Sequence, residues 1–122
     1  MISNTPFLTL ENLSYSYHTL SGETKALENI SFPVYAGEFV AIVGPSGCGK
    51  STLLNIVAGQ IKNYDGNLLF HNASSHTSSD TEEKFQIGYM LQHDHLFHWR
   101  TIFQNVCLGL EIKNEMTKEN QD

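Results

Sequence analysis

The 122 residues suffice for one small domain rather than two, and 40% hydrophobic with 16% charged residues is a globular composition, not a disordered one. Thirteen Asp and Glu against seven Lys and Arg leave a net charge of −6, the wrong sign for a nucleic-acid-binding face. No apolar run approaches a bilayer span, the first six residues lack a secretory signal's basic start and apolar stretch, and Cys48 and Cys107 are too distant for a metal or redox spacing, so they read as reduced thiols of a cytosolic protein.

Along the chain no internal repeat is expected. Phe7 to Tyr17 alternate loosely, with Leu8, Leu10, Leu13, Tyr15 and Tyr17 among polar neighbours, which predicts a half-buried strand. Thr19 to Thr24 is turn-rich and predicts a connector. Leu27 to Tyr35 predicts a second strand with Ile30, Phe32 and Val34 on one face; Pro33 assigns it to an edge or a bulge. After Ala36-Gly37, the segment Glu38 to Val43 is apolar on both faces, the pattern of a strand buried inside a parallel sheet. Gly44 to Gly49 is a glycine-rich loop. Lys50 to Ala58 follows as a helix apolar around most of its surface, hence well buried, with Gly59 as its stop. Asp65-Gly66 predicts a hairpin turn before a short strand, Asn67 to Phe70. His71 to Glu83 reads as a solvated loop and Gln86 to Leu91 as another strand. Ile102, Val106 and Leu110, spaced four apart and joined by Phe103, predict one amphipathic helix from Thr101 to Ile112. Lys113 to Asp122 is a polar tail with no closing element.

Gly44-Pro45-Ser46-Gly47-Cys48-Gly49-Lys50-Ser51 satisfies G-x-x-x-x-G-K-[ST] in full, between a buried strand and a helix as that pattern requires. A triphosphate needs convergent backbone N–H groups. Side chains at Gly44, Gly47 and Gly49 would keep the backbone from wrapping it. The helix starting near Lys50 adds unpaired N–H groups and its dipole. Lys50 supplies a point charge to the β- and γ-phosphates, and Ser51 a hydroxyl to Mg²⁺. The bland alternative is a chance glycine turn. Cys48, in the middle of the loop, is expected to be alkylated readily and to be shielded by Mg-ATP; the plain reading makes it a small filler.

Gly44 to Thr52, G-P-S-G-C-G-K-S-T, followed by Leu53 to Gly59, resembles the Walker A segment of ABC-transporter ATPase subunits. Leu27 to Phe32 and Ala36 to Phe39 resemble the family's approach to that loop. Tyr89 to Gln92, with Leu96 to Thr101 and Asn105-Val106, resembles its Q-loop region, in a version most similar to importers of the nitrate, sulfonate and taurine group. The resemblance implies an α/β P-loop NTPase of the ABC ATPase type: an N-terminal antiparallel β-subdomain, then the first part of the RecA-like core. It implies ATP and Mg²⁺ as cofactors, held by Tyr17, Gly44, Pro45, Ser46, Gly47, Cys48, Gly49, Lys50, Ser51, Thr52 and Gln92. Within that set Tyr17 matches the aromatic residue that stacks on adenine, with Tyr15 as a competitor. Ser51 and Gln92 match the metal-facing hydroxyl and the Q-loop amide. The implied partners are transmembrane permease subunits and a second ATP-binding subunit in a head-to-tail dimer, with no nucleic acid. The implied location is cytoplasmic, peripheral on the inner face of the membrane through the permease.

The sequence departs from the family in two respects. His98 stands where related importers usually carry proline. Together with His93 and His95 it also forms H-x-H-x-x-H, a spacing weighed as a zinc site against the commoner metal-free loop histidines. Trp99 packs inward or faces a membrane partner. The larger departure is that no L-S-G-G-Q signature, no apolar run ending in Asp-Glu and no switch histidine follow Gln92. Residues 1–122 thus resemble the N-terminal part of an ATP-binding domain, truncated. The family's catalytic glutamate and signature donors are missing, so negligible hydrolysis is expected from the chain alone. Without parallel neighbours the segment Glu38 to Val43 would also expose an edge and an apolar surface, predicting a marginally folded product. Two other readings remain: a different P-loop enzyme such as a small-molecule kinase, and a fragment that binds without turnover.

Overall fold

A computed structural model describes residues 5–71, 87–93 and 95–113 of the chain. They form two compact units, one ending at Ile87 and the other starting at Gly88.

The first unit is built on an antiparallel hairpin, β1 (Pro6–Thr19) and β2 (Gly22–Tyr35). The connector expected over Thr19 to Thr24 shrinks to Leu20-Ser21, because Thr19 pairs with Gly22 and the ladder continues through Tyr17–Thr24. The Thr19 hydroxyl donates to the Gly22 carbonyl at 2.9 Å and closes the turn. From Tyr17 to Lys25 every residue is exposed, so this polar ribbon carries no alternation for a sequence reading to find.

The lower hairpin contains the repeat that the sequence reading did not expect. Leu10-Glu11-Asn12-Leu13-Ser14 and Leu27-Glu28-Asn29-Ile30-Ser31 lie antiparallel, with Leu13 opposite Ile30 at their centre. Each copy carries one bulge, and each bulge places its asparagine in the left-handed region, Asn12 at φ 50° and Asn29 at φ 49°. The bonds are reciprocal. Asn12 N–H donates to Ser31 Oγ at 2.7 Å, and Asn29 N–H to Ser14 Oγ at 2.9 Å. Asparagine tolerates this conformation better than other side-chain-bearing residues. The extra residue in each bulge shifts the alternation by one. Leu8 and Leu10 therefore face the same side as Leu13 and Tyr15, and Leu27 the same side as Ile30, Phe32 and Val34.

On its other edge β1 pairs with β3 (Asp65–Phe70), giving the order β2-β1-β3. Pro33 therefore lies on an edge strand, as the sequence suggested. The hairpin turn expected at Asp65-Gly66 is absent. Both residues belong to β3, with Asp65 opposite Ser14. Gly66 (φ +97°) sits so close to the β1 bulge that a Cβ would lie 2.4 Å from the Asn12 carbonyl oxygen. A D-G pair signals positive φ, and here a bulge contact uses that freedom instead of a turn.

Helix α1 (Lys50–Val57) lays Leu53 and Ile56 against the sheet, completing a core with Leu8, Leu10, Leu13 and Leu27. It is less buried than expected, since Leu54 remains 45% exposed. Its end is a Schellman motif: Gln60 N–H reaches the Asn55 carbonyl, Gly59 N–H the Ile56 carbonyl, and Gly59 has φ +75°. The strand expected over Glu38 to Val43 does not form. Those residues are unladdered and exposed, Phe39 at 94% and Val43 at 88%. A strand apolar on both faces needs neighbours on both edges, and none of the described residues pairs with it.

Residues 87–91 of the strand expected over Gln86 to Leu91, which run from the end of the first unit into the second, also form no ladder, and Gln86 lies outside the described residues. The polar loop over His71 to Glu83 and the tail from Lys113 lie outside them too, apart from His71 and Lys113 themselves. The single helix expected over Thr101 to Ile112 is divided into α2 (Ile102–Val106) and α3 (Leu108–Ile112), meeting at Cys107. Thr101 is the N-cap of α2, in a reciprocal box with Gln104. Asn105 organises the preceding loop by accepting from Phe97 N–H at 2.8 Å and donating to the Thr101 carbonyl at 3.0 Å. Arg100 and Glu111 form a two-pronged ion pair.

Candidate functional site

After β2 the chain turns at Ala36-Gly37, where the Glu38 carboxylate accepts from Tyr35 N–H at 2.8 Å, and then runs extended into the glycine-rich loop. A turn from Pro45 to Cys48, closed by Cys48 N–H on the Pro45 carbonyl at 3.3 Å, curls the loop around Lys50. The Lys50 ammonium donates to the carbonyls of Gly44 (2.6 Å) and Pro45 (2.7 Å) and lies 3.5 Å from Cys48 Sγ. The loop is thus folded about one positive charge.

Gly49 caps α1 in the left-handed conformation, φ 101°, and its carbonyl accepts the helix's first hydrogen bond, from Leu53 N–H. A Cβ here would lie 2.4 Å from the Ala26 carbonyl oxygen, so the loop's exit is seated directly on β2. The two hydroxyls after Lys50 part company: Ser51 is exposed, whereas Thr52 is buried and bonded to the Tyr17 hydroxyl at 2.9 Å. That bond brings Tyr17 to the loop, a contact that spacing along the chain could not reveal. Tyr15 packs perpendicular to Tyr17 at 5.0 Å and belongs with the residues around the core, which separates the two candidate tyrosines. Beside them runs an open groove of about 860 Å³ lined by Tyr15, Tyr17, His18, Glu23, Lys62 and Tyr64 among others, with no residue of 44–52 in its wall.

The donor set suits a magnesium-bound polyphosphate. An ammonium, an exposed hydroxyl and the N–H groups of a helix's first turn belong to consecutive residues from Lys50, and no acidic residue occupies that turn. Gln92 lies in an exposed bend of the second unit. Among the described residues no three His, Cys, Asp or Glu side chains are grouped to hold a metal ion, so His93, His95 and His98 form no such centre there. Trp99 is 77% exposed and stacks obliquely on Phe97, so it faces outward. With Arg100, Phe103, Gln104, Cys107 and Glu111 it lines a pocket of about 330 Å³.

Residues 27–122 match the family model described as ABC transporter. The chain belongs to this family. Among curated ABC relatives it is 38% identical over 115 residues to the uncharacterized ABC transporter ATP-binding protein YtlC of Bacillus subtilis, covering 94% of this chain and 42% of that one. It is 42% identical to the probable iron export ATP-binding protein FetA of Escherichia coli (93% and 48% covered). It is 33% identical to the aliphatic sulfonates import ATP-binding protein SsuB of Bacillus thuringiensis (92% and 43% covered). The dimeric structure of MJ0796, a bacterial ABC transporter cassette, superposes with a TM-score of 0.74 at 32% identity, over 93% of this chain and 52% of the other. The same cassette in a post-hydrolysis state bound to ADP and Pi matches equally well. The fold is therefore that of the N-terminal part of an ABC ATPase, and the chain spans less than half the length of these curated relatives.

Proposed function

We propose that the chain is the nucleotide-binding front part of an ABC importer ATPase subunit, of the type that takes up nitrate, sulfonate or taurine, and that residues 44–52 hold Mg-ATP. The observation that carries this is the Lys50 ammonium enclosed by its own loop at the start of α1. On binding, Lys50 exchanges the Gly44 and Pro45 carbonyls for phosphate oxygens, while Gly44, Ser46, Gly47, Cys48 and Gly49 present main-chain N–H groups around them and Pro45, which has no N–H, shapes the turn of the loop. Ser51 is the proposed metal-facing hydroxyl, Gln92 is proposed as the metal-facing amide from the resemblance of its motif, Thr52 follows Ser51 in α1, and Tyr17 offers its ring to the adenine. ATP supplies the free energy of phosphoryl transfer when a complete site surrounds it. The 122 residues contain no Asp-Glu after an apolar run, so the activity proposed for them alone is binding without turnover.

The exposed side chains of Trp99, Ile102, Phe103 and Val106 in the second unit support a docking surface for a permease segment, since contiguous exposed apolar area marks an interaction face. No helix among the described residues is long and apolar enough to cross a membrane. The likeness to ABC ATP-binding proteins supports the further proposal that the subunit lies on the cytoplasmic face, held by the permease, with a second ATP-binding subunit closing over the nucleotide head-to-tail. Titration calorimetry of the 122-residue chain with Mg-ATP tests the reading. Binding by the parent and its loss in Lys50→Ala are expected. Equal affinity in both proteins, or none in a folded parent, refutes it.

A further inference from the structure

We propose that Thr52 is a positioning residue: its hydroxyl, bonded to that of Tyr17, fixes the aromatic platform relative to the phosphate loop, so that base stacking depends on a side chain of α1. This rests on the nucleotide reading above and concerns the base rather than the phosphates. A threonine inside a helix ordinarily returns its hydroxyl to the carbonyl one turn back. Thr52, 6% exposed, instead sends it 35 positions back along the chain to Tyr17, at 2.9 Å. Tyr17 is 41% exposed, at the start of the polar ribbon in which every residue to Lys25 faces solvent. Tyr15, perpendicular to it at 5.0 Å, offers a ring contact, and Tyr15 is itself anchored against the core. The ring is thus held at its hydroxyl tip and on one side, and its exposed part is left for a ligand.

A ring already held in place loses less freedom when a planar base stacks on it, a difference of about three- to tenfold in affinity for one side chain. The bond also ties the base platform to the residue that follows Ser51, so the distance between adenine and phosphate subsites is set by α1 and not by the free end of a hairpin.

Calorimetry with Mg-ATP and with Mg-tripolyphosphate isolates the contribution of the base, because only ATP carries one. The readout is the ratio of the two affinities in the parent, Thr52→Val, Thr52→Ser, Tyr17→Phe and the Thr52→Val/Tyr17→Phe double variant. Thr52→Val and Tyr17→Phe are each expected to lower the ratio about three- to tenfold. The double variant should fall no further than either, and Thr52→Ser should hold the parent's ratio. A ratio unchanged in both single variants, or losses that multiply in the double variant, overturns the proposal. So does a Thr52→Ser ratio as low as that of Thr52→Val. A folded parent that binds neither compound refutes the nucleotide reading itself, and the positioning role falls with it.

Discussion

Replacing Gly49 with alanine should cost about 2–5 kcal/mol of folding stability, in two parts that can be measured separately. The first part is conformational. Gly49 sits at φ +101°, where a side chain costs about 1–2 kcal/mol. The second is steric. The new Cβ would lie 2.4 Å from the Ala26 carbonyl oxygen and 3.0 Å from Leu27 Cδ2. That carbonyl cannot simply retreat, because Leu27 is a buried core residue paired with Tyr15 across the hairpin. Overpacking of this kind costs about 1–3 kcal/mol. Gly47 is the control: its φ is +80°, but a Cβ there meets nothing within 4 Å, so Gly47→Ala carries only the conformational part. Equilibrium urea unfolding followed by far-UV circular dichroism should therefore place Gly49→Ala about 1–3 kcal/mol below Gly47→Ala, with similar m values. Equal destabilisation of the two variants would refute the claim that the loop's exit is seated on β2.

Asn12→Ala and Asn29→Ala should each lower stability by about 1–2 kcal/mol through left-handed strain, Asn12→Ala the more because its Oδ1 also accepts from Ser31 Oγ at 3.3 Å; the same urea titration reads both. Hydrogen bonding to Arg100, then its charge, holds the Glu111 carboxyl below its ordinary value of 4.5. A folded value below the unfolded one stabilises the protein above about pH 4.5, and that contribution is lost as pH falls through the folded value. Carboxyl-carbon NMR should show Glu111 titrating higher in Arg100→Gln than in the parent; an unchanged midpoint removes the ion pair's role. Iodoacetamide should modify exposed Cys48 quickly and Cys107, buried to 4% exposure, slowly. Mass spectrometry should find the first rate slowed by Mg-ATP, and equal rates with and without bound nucleotide would count against Cys48 lining the site.

The phosphate loop was legible because every constraint on it is local: the glycines, Lys50 and Ser51 lie within eight consecutive residues, next to the helix they start. The hairpin was half legible. Its alternation looked loose because the strands slip phase at Asn12 and at Asn29, with further register shifts between Pro6 and Leu8 and between Tyr15 and Ser16, and a bulge erases a period-two pattern without leaving a breaker residue. The two Leu-Glu-Asn-(Leu/Ile)-Ser segments were open to inspection, but their equivalence has meaning only when the strands are antiparallel with Leu13 facing Ile30. The Tyr17–Thr52 bond, the seat of Gly49 on Ala26 and the bonds from Asn105 to its loop join residues that no short motif connects. The split at Cys107 escaped a reading based on apolar spacing, since Ile102, Val106 and Leu110 keep their interval of four while the backbone turns between them.

Where the sequence called for strands and the structure has none, the difference follows from how each partner is obtained. β1 and β2 meet through a two-residue turn, so their ladder forms from neighbours in sequence, and β3 joins an edge of β1 that the hairpin leaves open. A parallel strand has no such route; it needs a crossover and a second strand that runs beside it. Glu38 to Val43 and residues 87–91 have the apolar composition of such strands, but none of the described residues supplies a ladder to either. Their apolar side chains stay exposed, Phe39 and Met90 above nine-tenths. The phosphate loop is different. Its entry hangs from the unpaired segment Glu38 to Val43, while its exit is fixed by Gly49 on β2 and by Thr52 on Tyr17. Binding geometry should therefore be set from the exit side, by the antiparallel hairpin, so substitutions at Gly49, Thr52 and Tyr17 should disturb it more than substitutions in the apolar run before the loop.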